Sequence, residues 1–175
     1  MGARRARVSA VQREIGQARP FRSLNQEATI ALLRTASVVA RAFARVVEPA
    51  GLSFAQYNAL RIIRGAGAGG IPTLAVRDRM IEEGTTVTRL LDKLEKAGLI
   101  RRERSLPDRR QVICYATPAG KQLLGRLDPA IDALHEQAVG FLPAARVEAL
   151  IHLLDAVRGH NAERGAPRSL ARAPA

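Results

Sequence analysis

The chain has 175 residues, 47% of them hydrophobic but only 3% aromatic. This fits one folded domain with an aliphatic core, favours packed helices over a β-sandwich, and excludes a wholly disordered chain. Lys and Arg number 28 against 16 Asp and Glu, a net charge of +12, so the surface attracts polyanions, nucleic acid before anionic membrane. The plain alternative is Arg spread over solvated faces. Residues 1–22 carry six arginines, Pro20 and no apolar period, and are expected to form a basic arm, flexible or partly helical. No stretch there has the apolar run of a secretion signal, and none approaches a membrane span. A cytoplasmic protein without membrane association is expected.

Residues 23–52 read as a dimerisation helix, from Leu24 to Glu48. Its charges at Glu27, Arg34, Arg41 and Glu48, with Arg45 beside Arg41, form one narrow stripe, and nearly everything else is apolar. Such a helix needs cover on several sides, which points to a second subunit. Pro49 and Gly51 end it. Ser53 and Gln56 have the spacing of a capping box for the next helix, with Phe54, Tyr57, Leu60 and Ile63 inward. GAGAGG at 65–70 closes that helix, and Ile71-Pro72-Thr73 opens a short one reaching about Ile81. The helix that follows begins with Thr85, Thr86 and Thr88 and ends at Gly98, a left-handed C′ position.

Leu99–Arg104 and Gln111–Ala116 are predicted strands, joined by a tip reading SLPDRR. Thr117-Pro118 restarts a helix with a hydroxyl cap and a first-turn proline. Pro129 lies inside that helix and is expected to bend or split it near Asp128. Pro143 opens a last helix, giving a C-terminal pair of dimerisation helices over 117–158, and 159–175 is expected to be a disordered tail.

Short helix, turn, second helix and two strands with a basic loop is the layout of a winged helix-turn-helix, here over 53–116. With Val87 turned inward, 100° per residue places Leu90, Leu91 and Leu94 beside it. Thr85, Arg89, Asp92 and Lys96 then face away, flanked by Thr86, Lys93 and Thr88. A helix in the major groove presents its N-terminal turns to base edges and phosphates. Short hydroxyls allow close approach and donate to phosphate, while Arg89 reaches a guanine edge in bidentate fashion. The bland reading is that the threonines only cap and cover a surface helix. Against it stands the following segment, in which Arg101, Arg102, Arg104, Arg109 and Arg110 exceed what folding a loop requires. Such a protrusion suits the minor groove.

Residues 24–158 resemble the MarR family of transcriptional regulators, most closely at TVTRLLDKLEKAGLIRR (86–102), at DRR (108–110) and at the Ala-Thr-Pro-Ala-Gly restart (116–120). The resemblance implies a mainly α fold with a small β-wing, and a homodimer interlocked through its N- and C-terminal helices. Two winged lobes would read a palindromic operator in double-stranded DNA. It also implies that Asp108 braces the wing tip while Arg109 or Arg110 enters the minor groove, with Arg104 at the wing base. The turn before the recognition helix departs from the family pattern, reading Ile81-Glu82-Glu83-Gly84. Two carboxylates near DNA call for a capping role, or for pairing with Arg77 or Arg79.

The family commonly takes small aromatic or phenolic acids between dimer base and DNA lobe, which marks Tyr57 and Arg61 as a possible effector cleft. Arg61 as a solvated charge is the plainer reading. Cys114, alone and in a strand, reads as a buried inert thiol rather than a redox sensor. His135, His152 and His160 are too scattered for a metal site. No catalytic constellation or phosphate-binding glycine loop is present, so neither an enzyme nor a cofactor is expected. A repressor released by a small ligand is the leading expectation, and a sequence-tolerant architectural DNA-binding protein is the rival.

Overall fold

The structure is a computed structural model and describes residues 8–81, 86–105 and 110–165. Its backbone divides into two compact units, one reaching Leu134 and one beginning at His135.

The first unit opens with a short helix α1 (Ala10–Glu14), capped by Ser9, whose hydroxyl accepts from the Gln12 N–H. Part of the basic arm is thus helical. It is tied to helix α2 (Leu24–Val47) by Glu14, which pairs with Arg34 at 2.7 Å. In α2 only Phe43 and Val47 are buried, at the C-terminal end. Further up the helix Leu24, Leu32, Leu33 and Val38 stand in solvent. A 3-10 turn (Glu48–Ala50) and Gly51 at φ 78° end the helix.

Helix α3 (Phe54–Gly65) starts with the expected capping box. The Gln56 N–H donates to Ser53 Oγ (3.2 Å) and the Ser53 N–H to Gln56 Oε1 (2.8 Å), so two orphan donors of the first turn are satisfied. Next comes a correction. Ile71-Pro72 does not open a helix but forms strand β1, which pairs antiparallel with β3 (Val112–Ala116), Ile71 opposite Cys114 and Pro72 opposite Ile113. Proline is tolerated because β1 is an edge strand. Helix α4 (Thr73–Asp78) therefore starts later and ends earlier than the apolar spacing suggests. Helix α5 (Val87–Lys96) and strand β2 (Ile100–Arg104) follow. The sheet order is β1-β3-β2, three strands among the described residues instead of two.

The core gathers around α3 and α5, from Leu60, Ile63, Val76, Leu91, Leu94, Ile100, Cys114 and Leu124, all nearly or fully buried. It is almost wholly aliphatic, as the composition requires. Gly98, at φ 70°, turns the chain from α5 into β2. The Thr117 hydroxyl donates to the Gly98 carbonyl (2.7 Å) and accepts from the Gly120 N–H (3.1 Å), fastening the start of α6 (Pro118–Val139) to that turn. A Cβ at Gly120 would collide with the Leu99 carbonyl, so only glycine fits.

Pro129 does not split α6, which runs continuously through it. The ring removes one helical hydrogen bond and crowds the carbonyl four residues back, at Gly125, but the surrounding turns persist.

Helix α7 (Ala144–Gly165) belongs to the second unit. It corrects the expectation of a tail beginning at Gly159, because the helix continues through that residue to Gly165. One interior glycine costs about 1 kcal/mol, too little to stop a helix. Asn161 adds a bond from its side-chain amide to the Val157 carbonyl (2.7 Å). The remainder of the expected tail, 166–175, lies outside the described residues. On α7 the aliphatic side chains of Leu150, Ile151, Leu153 and Val157 are all exposed.

Candidate nucleic-acid interface

Helix α5 divides cleanly into two faces. Val87, Leu90, Leu91 and Leu94 are buried, while Thr86, Thr88, Arg89, Asp92, Lys93 and Lys96 are exposed. Thr86 is the N-cap residue and its hydroxyl makes no capping bond, leaving that oxygen at the helix mouth. The first turn thus presents Thr86, Thr88 and Arg89 together, with Lys93 one turn on. The positive end of the helix dipole adds to them. Thr85 lies outside the described residues, as do Asp108 and Arg109 of the wing tip. The two carboxylates of the preceding turn, Glu82 and Glu83, also lie outside them. Arg77, a suggested partner for these, pairs with Asp78 at 3.1 Å.

At the wing base the structure changes the reading of the arginines. Arg101, Arg102 and Arg104 stand in strand β2, where the predicted strand Leu99–Arg104 has them, and two of them have work within the fold. The Arg102 guanidinium donates to Glu95 Oε2 (2.6 and 2.9 Å) and to Asp92 Oδ1 (2.6 Å). Its backbone N–H donates to Glu95 Oε1 (3.0 Å). Hydrogen bonding to Arg102 holds the Glu95 carboxyl below its ordinary range, and the same bonds raise the Arg102 guanidinium. This clamp joins the recognition helix to the wing. Arg101 lies over the Tyr115 ring, 4.0 Å from its centroid, and pairs with Glu103. Tyr115 in turn covers Gly70, where a Cβ would come within 2.5 Å of the ring. Arg104 and Arg110 are exposed on either side of the undescribed tip.

Between α4, the first turn of α5 and the wing base runs an open groove of about 660 Å³, lined by Thr73, Thr88, Arg102 and Arg110 among others. Pro72, Leu74, Ala75 and Val112 make most of its lining apolar, and Asp78 stands there with the two arginines.

Tyr57 and Arg61 lie a turn apart on α3 and differ in exposure. Tyr57 is buried, and burial raises its hydroxyl above the usual tyrosine range, while Arg61, a turn on, is exposed. Beside them sits a pair that sequence reasoning missed. Arg64 binds Asp128 through both nitrogens (2.7 and 2.9 Å), tying α3 to α6. Nothing in the local sequence signals it, since the partners lie 64 positions apart. Asn58 was also missed. The available signal was one amide inside the otherwise apolar run Tyr57-Asn58-Ala59-Leu60.

A three-element helix-turn-helix with a sheet-borne basic wing defines the class as a winged helix-turn-helix, a DNA-binding fold. The MarR family model matches residues 52–112, which spans α3 through the start of β3. A crystal structure of a MarR transcription factor from Planctomyces limnophilus is 35% identical, with TM-score 0.59, over 78% of this chain and 98% of that one. The CouR structure from Rhodococcus jostii RHA1, bound to p-coumaroyl-CoA, has 25% identity and TM-score 0.67, over 78% and 95% of the two chains. The HTH-type transcriptional regulator TtmR of Methylorubrum extorquens (strain PA1) is 30% identical over 106 residues. That match takes in 61% of this chain, which spans about half of TtmR (53%). The chain belongs to the MarR family, whose members are regulators of transcription and not enzymes.

Proposed function

We propose that the protein is a sequence-specific DNA-binding regulator, a repressor that binds a palindromic operator as a homodimer and is released by a small aromatic or phenolic ligand. The observation that carries this reading is the exposed first turn of α5, with Thr86, Thr88 and Arg89 outward over a fully buried leucine face. Thr86, Thr88 and Lys93 would meet phosphates, and Arg89 a base edge. Thr85, and the wing's Arg104, Asp108, Arg109 and Arg110, would extend the contact to the adjacent minor groove.

A second copy of the chain is supported by the solvent-facing aliphatics of α2 and, separately, of α7. Two lobes would then span half-sites about 10–10.5 bp apart, centre to centre. A ligand is supported by CouR, whose structure holds a phenolic acyl thioester. On this chain Tyr57 and Arg61 are the candidates to receive one, with Arg64 and Asp128 alongside. Binding there would change the separation of the two recognition helices, a coupling of about 1–3 kcal/mol on the usual scale.

Selection of bound duplexes from a random pool tests the reading. Recovery of a palindrome supports dimeric, sequence-specific readout; an unenriched pool with salt-sensitive binding replaces it with the sequence-tolerant architectural alternative. Titrating the selected duplex complex with aromatic and phenolic carboxylates, and with their CoA thioesters, tests release. Retention of the complex at saturating concentrations of every compound removes the ligand from the proposal.

A further inference from the structure

Asn58 is the one described side chain in which a buried polar atom lacks a partner. It lies in the middle of α3, 1% exposed, with aliphatic neighbours on the same helix. Its Oδ1 accepts a hydrogen bond from the Ile81 backbone N–H at 3.2 Å, and its Nδ2 has no partner among the described residues. Burying an amide and satisfying only half of it is expensive, and a leucine of similar size would fill the space without that cost. The location of the one bond made is informative. Arg79 and Met80 still turn back on α4, donating to the Val76 and Arg77 carbonyls (both 3.1 Å), while Ile81 is held from outside by Asn58. Ile81 lies just past the end of α4, on the way to α5, whose cap is Thr86.

We propose that Asn58 is a positioning residue for DNA readout. It fixes the point from which the chain crosses to the recognition helix, and so sets where Thr86, Thr88 and Arg89 sit on the operator. This rests on the reading of α5 as the DNA-contacting helix. Asn58 itself is too deep to touch DNA, and it acts through the backbone at Ile81. The amide differs from the leucines around it in direction: packing holds α3 against α5 from many angles, whereas a hydrogen bond fixes one atom.

The test uses the full-length protein, its selected duplex, and the variants Asn58→Leu and Asn58→Asp. Asn58→Leu removes the acceptor and keeps the volume, and Asn58→Asp keeps the acceptor. Operator affinity in Asn58→Leu is expected to fall about tenfold, with a smaller ratio of operator to random-duplex binding. Asn58→Asp should recover most of that ratio in its folded fraction. Hydrogen exchange reads the bond without DNA: the Ile81 amide should exchange faster in Asn58→Leu, while amides elsewhere in α3 keep their wild-type rates. Unchanged Ile81 exchange overturns the proposal even if DNA binding falls, and so does a uniform rise in exchange across the lobe. Faster Ile81 exchange with an unaltered operator-to-random ratio overturns it as well. If the wild type shows no operator preference while Ile81 exchange responds as expected, the fault lies with the DNA reading and not with the bond.

Discussion

Helices α5 and α7 both carry several large apolar side chains, and these end in opposite situations. In α5 four apolar side chains are buried, while Thr86, Thr88, Arg89 and Lys93 are exposed. In α7, more than twice as long, four large aliphatics face solvent, with Leu153 66% exposed and Leu91 of α5 fully covered. The difference teaches where each helix obtains its stability. The lobe holds α5 through contacts inside the chain, whereas the apolar surface of α7 remains available to a partner. What the first helix offers outward is chemistry, and what the second offers is area.

The sharpest test of that contrast is a pair of truncations. Leu91→Ala should destabilise the fold by about 2–5 kcal/mol in chemical denaturation, at any protein concentration. Leu153→Ala should leave the midpoint of a dilute sample within about 0.5 kcal/mol, yet raise the dissociation constant of the proposed homodimer in sedimentation. Equal, concentration-independent losses would erase the distinction. Next in size is Arg89→Ala, expected to cost about 1–3 kcal/mol on the selected duplex and to flatten sequence preference, with the melting temperature held. A uniform loss on all duplexes would place Arg89 on phosphate instead.

Smaller effects come from the clamp between α5 and the wing. Arg102→Ala should lower stability by about 1 kcal/mol or less, since the carboxylate partners are half exposed. Glu95 gives this a pH signature. Its carboxyl is held low in the folded chain by Arg102, so its contribution is complete above the ordinary glutamate value of about 4.3 and fades as pH drops through the lower folded value. Glu95→Gln should remove that part of the acid-side loss in pH-dependent denaturation. The least effect is expected at Cys114, which burial pushes above the usual thiol range. Peroxide should change operator binding equally in the wild type and in Cys114→Ser, and a thiol reagent should label the native protein slowly.

What could be read in advance was local. The capping box of Ser53 and Gln56, the Thr117-Pro118 restart and the buried face of α5 each depend on residues within a turn or two of one another. Strand β1 could not be read this way, because two residues carry no period and Ile71 finds its partner only at Cys114. The fate of Arg102 was equally hidden. Whether that guanidinium points to DNA or to Glu95 depends on how β2 lies against α5, and the strand sequence is silent on that. The Arg64–Asp128 pair and the bond from the Ile81 N–H to Asn58 are of the same kind. Charge and periodicity pointed to the proposed reading surface, and long-range register decided which of its cations were spoken for.

The Arg102 clamp has a consequence for the sites this protein can use. On the proposed reading of α5 and the wing, this tie makes the distance between what each touches partly a property of the protein and only partly of the duplex. Natural binding sites could then drift in their letters more readily than in their spacing. An inserted base pair between the two proposed tracts should weaken binding even where every other letter is preserved.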